Sequence, residues 1–133
     1  MSYLEIDTRS EVPIYEQIMD RIRGLVRGGT LPPGARLPAV RQLAADLEVN
    51  PNTVARAYGL LEREGVLETA RRRGTLVAES ARKVADAAVG SRLDAAIDRV
   101  LGEAAGLGVE VGEVVKALER RARARSGRRS RRG

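Results

Sequence analysis

The sequence predicts a mainly α-helical chain carrying one small β-hairpin. Three observations carry that prediction. Apolar residues recur at spacings of three and four through the first two-thirds of the chain. Pro, Asn and Gly stand where helix ends need them. After the third such stretch, two short extended runs flank an arginine-rich tip. The chain has 133 residues, enough for one compact domain with an appendage and too few for two domains of ordinary size.

Tyr3 to Asp7 alternates and suits a short strand. Pro13 then fits a helix first turn, and Ile14, Ile18, Ile22, Leu25 and Val26 mark the inner face of a helix of about four turns. That helix should stop at Gly28-Gly29, followed by a rigid turn at Leu31-Pro32-Pro33-Gly34. Pro38 precedes a second, short helix whose buried face is Val40, Leu43, Ala44 and Leu47. After the brief turn Glu48-Val49-Asn50, Asn50 serves as N-cap and Pro51 as first residue of a third helix. Its inner face is Val54, Ala57, Tyr58 and Leu61, and Gly65 sits where a C′ glycine belongs. Val66 to Thr69 and Thr75 to Ala78 are extended, with Ala70-Arg71-Arg72-Arg73-Gly74 between them. Three helices and a hairpin, with a tight turn between helices two and three, describe a winged helix-turn-helix.

From about Ser80 the texture changes to Ala-rich helical sequence, with Val84, Ala88, Leu93, Ile97, Val100 and Leu101 as apolar marks. Gly106-Leu107-Gly108 breaks it, and Val114, Val115 and Leu118 mark another short helix. Two short amphipathic helices cannot bury their stripes alone, so they should pack on the first domain or on another copy of themselves. Residues 120 to 133 lack apolar periodicity and are expected to be disordered. The expected division is therefore 1–78, 79–119 and 120–133.

Composition removes whole classes of chemistry. Without Cys or His the chain has no disulfide, thiolate nucleophile, Cys/His zinc site or imidazole base. Carboxylates do not cluster as a metal or acid–base site, so no catalytic residue, metal or cofactor is assigned. Phe and Trp are absent and Tyr occurs three times, which leaves little material for stacking single-stranded bases. No apolar run approaches the roughly 18 residues of a membrane span. The N-terminus has no signal-peptide pattern, so the expectation is an intracellular, soluble protein.

The net charge of +6 is concentrated. Residues 119 to 133 hold eight Arg against one Glu, whereas residues 11 to 78 hold ten basic and eight acidic side chains. The high pI is a property of the tail. An argument for nucleic-acid binding by the folded part must rest on where its charges stand.

From Pro13 to Val77 the chain resembles the winged-helix domain of the GntR family of bacterial transcriptional regulators. The resemblance is carried by Pro13-Ile14-Tyr15-Glu16-Gln17-Ile18, Gly29 through Leu37-Pro38, Arg41-Gln42-Leu43-Ala44, Val49-Asn50-Pro51-Asn52-Thr53-Val54, Ala57-Tyr58, Leu61-Glu62 with Glu64-Gly65, and Arg73-Gly74-Thr75-Leu76-Val77. Asn50 to Val54 with Ala57-Tyr58 looks most like the YtrA subfamily, whose short two-helix C-terminal region suits the remaining length. The resemblance implies a homodimeric repressor, cytoplasmic and nucleoid-associated, that binds an inverted-repeat operator in double-stranded DNA and dimerises through its C-terminal helices. It suggests an ABC-type transporter operon as target. The sequence names no operator, regulated gene or small-molecule effector, although an effector pocket between subunits stays open.

Asn52, Thr53 and Arg56 occupy the outward first turns of helix three, where a recognition helix meets base edges; Asn can read adenine and Arg guanine. Their plainer role is helix capping and a solvated charge. Arg41 matches the family's arginine in helix two, implying a phosphate or base contact, against the alternative of an ion pair with Asp46 or Glu48. Arg71, Arg72 and Arg73 crowd three like charges into a hairpin tip, which phosphate or minor-groove contact would offset. Gly74 should take a positive φ, and Thr75 could reach a phosphate.

The sequence departs from the family in three places. Ala39 replaces the usual cap residue, Arg72 stands where a glycine is usual, and Ala55 replaces an arginine, with Arg56 next to it. Tyr15 and Tyr58 read as core or hinge packing. The competing functions are a basic RNA- or ribosome-associated protein using the tail, and a protein-interaction module, which Arg71 to Arg73 disfavour.

Overall fold

The computed structural model describes residues 4–132. Its elements are α1 (Ile14–Arg27), α2 (Val40–Leu47), α3 (Pro51–Glu64), β1 (Leu67–Ala70), β2 (Gly74–Val77), α4 (Ala81–Gly106) and α5 (Val111–Arg132). They divide into two compact units, Met1–Ser91 and Arg92–Gly133.

In the first unit α1 and α2 both pack on α3, and β1 follows directly from it. The core is aliphatic: Ile18 and Ile22 of α1, Leu43 of α2, and Val54, Ala57 and Leu61 of α3 are essentially inaccessible to solvent. These are the positions the helical spacing selects. Burying each of the Ile, Leu and Val side chains contributes about 1.5–3 kcal/mol, so the orientation of α3 is set mainly by this core. Tyr58 joins it, and its hydroxyl donates to the Pro38 carbonyl at 2.7 Å, tying α3 to the start of α2.

The helix ends follow from their residues. The Asn50 side chain accepts a hydrogen bond from the Asn52 amide at 2.8 Å, with Pro51 in the first turn. Gly65 closes α3 in the left-handed region at φ 88°, and the Val66 amide bonds back to the Leu61 carbonyl at 2.9 Å. By contrast, Ala39 leaves α2 without a side-chain cap.

The N-terminal segment departs from expectation. Tyr3 lies outside the described residues, and Leu4–Asp7 forms no strand. Instead, the buried Gln17 side chain accepts from the Asp7 amide at 2.8 Å and donates to the Asp7 and Val12 carbonyls, each at 2.9 Å. One glutamine thus provides the hydrogen bonds a strand partner would have provided.

The hairpin pairs Leu67 with Val77, Glu68 with Leu76, Thr69 with Thr75 and Ala70 with Gly74. Residues 34–37 run beside β2 as a partial third strand. The Gly34 amide donates to the Val77 carbonyl and the Leu37 amide to the Thr75 carbonyl, each at 2.8 Å, and Arg36 bridges Leu76. The sequence gives only a turn at 31–34, because a short run beside Pro32 and Pro33 has no readable alternation.

The expected end of the first domain, at residue 78, falls before the end of the first compact unit at Ser91. Ala81 and Ala85 of α4 are fully buried in the first unit's core, with Val84 packed against it. Small side chains let this helix approach closely.

In the second unit, α4 ends at Gly106 and Gly108 takes φ 75°. The Glu113 carboxylate accepts from the Glu110 amide at 3.1 Å at the start of α5. Helix α5 continues to Arg132, where the sequence leads one to expect disorder from Arg120. Ala122, Ala124 and the arginines around them are strong helix formers and carry the helix past Arg120 without an apolar stripe. Ser126, Gly127 and Ser130 are weaker helix formers, and propensity alone does not explain that last stretch.

Candidate nucleic-acid interface

All nine residues singled out in the sequence belong to the first compact unit. Asn52 and Arg56 are exposed on α3, and Thr53 is half-buried. The buried set Val54, Ala57, Tyr58 and Leu61 fixes which side of the helix faces solvent. Arg41 is exposed near the start of α2.

Arg71, Arg72 and Arg73 are all exposed and form the three-residue tip between β1 and β2. The Arg73 amide closes the turn on the Ala70 carbonyl at 3.1 Å. Gly74 adopts φ 79°, as expected, and Thr75 is half-buried in β2. Arg72 takes φ 72°, a left-handed conformation that costs an L-residue about 1–2 kcal/mol. Glycine would take this conformation without strain, so Arg72 keeps the turn geometry and adds a charge at a cost in stability. Arg72→Gly should therefore raise the stability by up to about 1 kcal/mol, seen as a higher melting temperature. A lower melting temperature would contradict the strain at this turn.

Two arrangements were not read from the sequence. Arg36 is exposed beside the wing, and a Cβ added to Gly74 would lie 3.4 Å from its Nε. A fourth arginine therefore accompanies the three at the tip. No local signal in the sequence points to it, because Arg36 reaches the wing only through the pairing of residues 34–37 with β2.

The second is Arg56, whose guanidinium carbon lies 3.9 Å from the ring centroid of Tyr15 on α1. Tyr15 is half-buried against the core, in line with packing, and its hydroxyl donates to Glu16 Oε1 at 3.3 Å. The ring serves in addition as a shelf for a cation.

Further back, the buried Arg23 of α1 binds both carboxylate oxygens of Glu64 in the last turn of α3, with Nε to Oε2 at 3.2 Å. Its Nη1 meets Asp20 at 3.1 Å. This pair ties the end of α3 to α1.

No group of three or more Asp or Glu among the described residues is placed to hold a metal ion. What the unit offers is a capped helix with exposed Asn and Arg side chains and a cationic hairpin. That combination defines a winged-helix protein of the DNA-binding type.

The comparisons make the assignment specific. Residues 14–77 match the model of the bacterial regulatory proteins of the gntR family. The chain is 39% identical over 116 residues to the HTH-type transcriptional regulator Rv1152 of Mycobacterium tuberculosis, covering 87% of this chain and 91% of that protein. The protein belongs to the GntR family.

Over 79 residues it is 51% identical to the HTH-type transcriptional repressor YtrA of Bacillus subtilis, spanning 59% of this chain and 61% of that relative. The structure of YtrA from Sulfolobus acidocaldarius, a GntR-family transcription factor, superimposes with a TM-score of 0.57 at 37% identity, over 76% of this chain and 99% of that one. The likeness is thus to the YtrA-type branch, and these relatives are transcriptional regulators rather than enzymes.

Proposed function

We propose that the protein is a cytoplasmic, homodimeric repressor that binds a near-palindromic operator, with no catalytic activity of its own. The observation that carries this reading is the pairing of an exposed, Asn50-capped α3 N-terminus with a three-arginine wing in one compact unit. Asn52, Thr53 and Arg56 read bases in the major groove. Arg41 and Arg71 to Arg73, with Gly74 and Thr75 shaping the wing, hold the phosphate backbone. Arg36 adds a further backbone contact. No helix among the described residues is long and apolar enough to cross a membrane.

A second copy of the chain is the expected partner of the second unit. Leu93, Ile97 and Val100 of α4 and Val111, Val115 and Leu118 of α5 are between 44% and 60% exposed and line one apolar groove. A contiguous patch of this kind needs a cover, and a two-fold dimer places two recognition helices about one turn of DNA apart. Ile97→Glu combined with Val115→Glu should give a monomer by sedimentation equilibrium. Operator affinity should fall by about a hundredfold or more, as linked half-sites become independent. A dimer that survives both substitutions would contradict this assignment of the groove.

Selection from a randomised duplex library tests the function itself. The expected product is a near-palindromic consensus bound by the dimer. Failure to enrich any sequence, or equal capture of structured RNA, would favour the tail-driven RNA-binding reading instead.

A further inference from the structure

We infer that Tyr15 is the positioning residue for Arg56, holding its guanidinium as a preformed reader of a base. This rests on the proposal above that Arg56 reads DNA. The guanidinium carbon lies 3.9 Å above the centroid of a ring that is half-buried against the core in α1, a separation at which the planar cation meets the ring by its face.

An exposed arginine on a helix ordinarily spreads over many rotamers, and ordering it on binding costs conformational entropy. Arg56 is exposed, yet its head is placed by a residue from a different helix. Tyr15 stands between Ile14 and Glu16 at the start of α1, half-buried against the core, so packing of the ring holds it whether or not the hydroxyl is present. The shelf is therefore stiff.

Stacking uses the face of the guanidinium. Its N–H donors lie in the plane and point outward from the edge, so a bidentate contact to guanine remains available while the face is occupied. Arg56 is thus already oriented, by a ring in α1 rather than by its own helix.

The test is base preference of the full chain measured on a randomised duplex library, for wild type, Arg56→Ala, Tyr15→Phe, Tyr15→Met and the double variant Tyr15→Met/Arg56→Ala. Arg56→Ala should flatten the preference at one base step. Tyr15→Met, which keeps bulk but removes the ring, should weaken preference at that same step by about two- to fivefold, the scale of an exposed cation–π contact. Tyr15→Phe should retain it, and the double variant should match Arg56→Ala alone.

Preference left intact or sharpened by Tyr15→Met would overturn the inference, as would loss in Tyr15→Phe. A wild-type chain that enriches no sequence would overturn the DNA-reading proposal and this inference together, whereas enrichment with no effect of Tyr15→Met would overturn the inference alone. A measurement independent of variant folding is the proton spectrum of the wild-type protein. The Arg56 δ protons should be shifted upfield by the ring current, and ordinary positions for them would overturn the stack in solution.

Discussion

Replacing the wing cations, by Arg71→Ala, Arg72→Gly and Arg73→Ala together, should lower DNA affinity by roughly a hundredfold near physiological salt. The figure follows from counterion release. Each lost phosphate contact removes about 0.9 from the slope of log affinity against log salt, so three contacts should flatten that slope by about 2–3. Glycine is chosen at position 72 so that the left-handed turn at φ 72° survives without strain. All three side chains are exposed, so the fold should not be weakened. Affinity for random duplex should fall in parallel, because phosphate contacts carry no base information, while the preferred sequence should stay the same. The measurement is fluorescence anisotropy across a salt series. An unchanged slope would remove the wing from the interface.

The second large effect lies behind the interface. Glu64→Ala should cost about 2–3 kcal/mol and lower the melting temperature by about 10–20 °C. Arg23 is only 7% exposed, and the substitution takes away the carboxylate that bonds it bidentately. Asp20 at 3.1 Å keeps part of the compensation, which places the loss below that of a wholly abandoned buried charge. Replacing both partners, Arg23→Met with Glu64→Leu, should cost far less, within about 1 kcal/mol of wild type, since apolar groups of similar bulk need no partner. Urea unfolding of the three chains gives the comparison. A Glu64→Ala variant as stable as wild type would mean that the pair contributes nothing to seating α3. The exposed Arg27–Asp86 pair, at 2.8 Å but about half accessible on both sides, is the natural control, and breaking it should change little.

These two cases also mark how far the sequence could be read. Whatever depends on local spacing was legible. The four-residue rhythm from Ile14 to Ile22, the Asn50-Pro51 start and the Gly65 end of α3, and the arginine tip between two short strands all stand in the structure as the sequence implies. Each is fixed by interactions within a few residues. Whatever depends on distant partners was not. Arg23 and Glu64 are 41 positions apart and each looks like an ordinary surface charge in a helix. Arg56 reads as outward-facing, which is correct, but nothing in its own helix points to Tyr15.

The same division explains the remaining differences. Gln17 turns the alternating N-terminal segment away from strand pairing by capturing the Asp7 backbone from ten residues off. The run at 34–37 becomes a strand edge only because β2 is there to receive it. The domain boundary moves because Ala81 and Ala85 fill space in a core laid down by earlier elements. In α5 the difference has a local cause. Dense like charge does not stop a helix whose residues at 120–125 are all Ala or Arg, and α5 runs on through the arginines.

In the proposed repressor the winged helix, rather than the arginine-rich end of α5, recognises DNA. The most direct test is a gel-shift titration against the duplex immediately upstream of the protein's own gene, at two salt concentrations, with the full chain and a chain ending at Glu119. A discrete complex that survives removal of the arginines, outcompetes random duplex and weakens with salt is the predicted result. Binding that vanishes with those arginines, or that random duplex competes away equally, would contradict it.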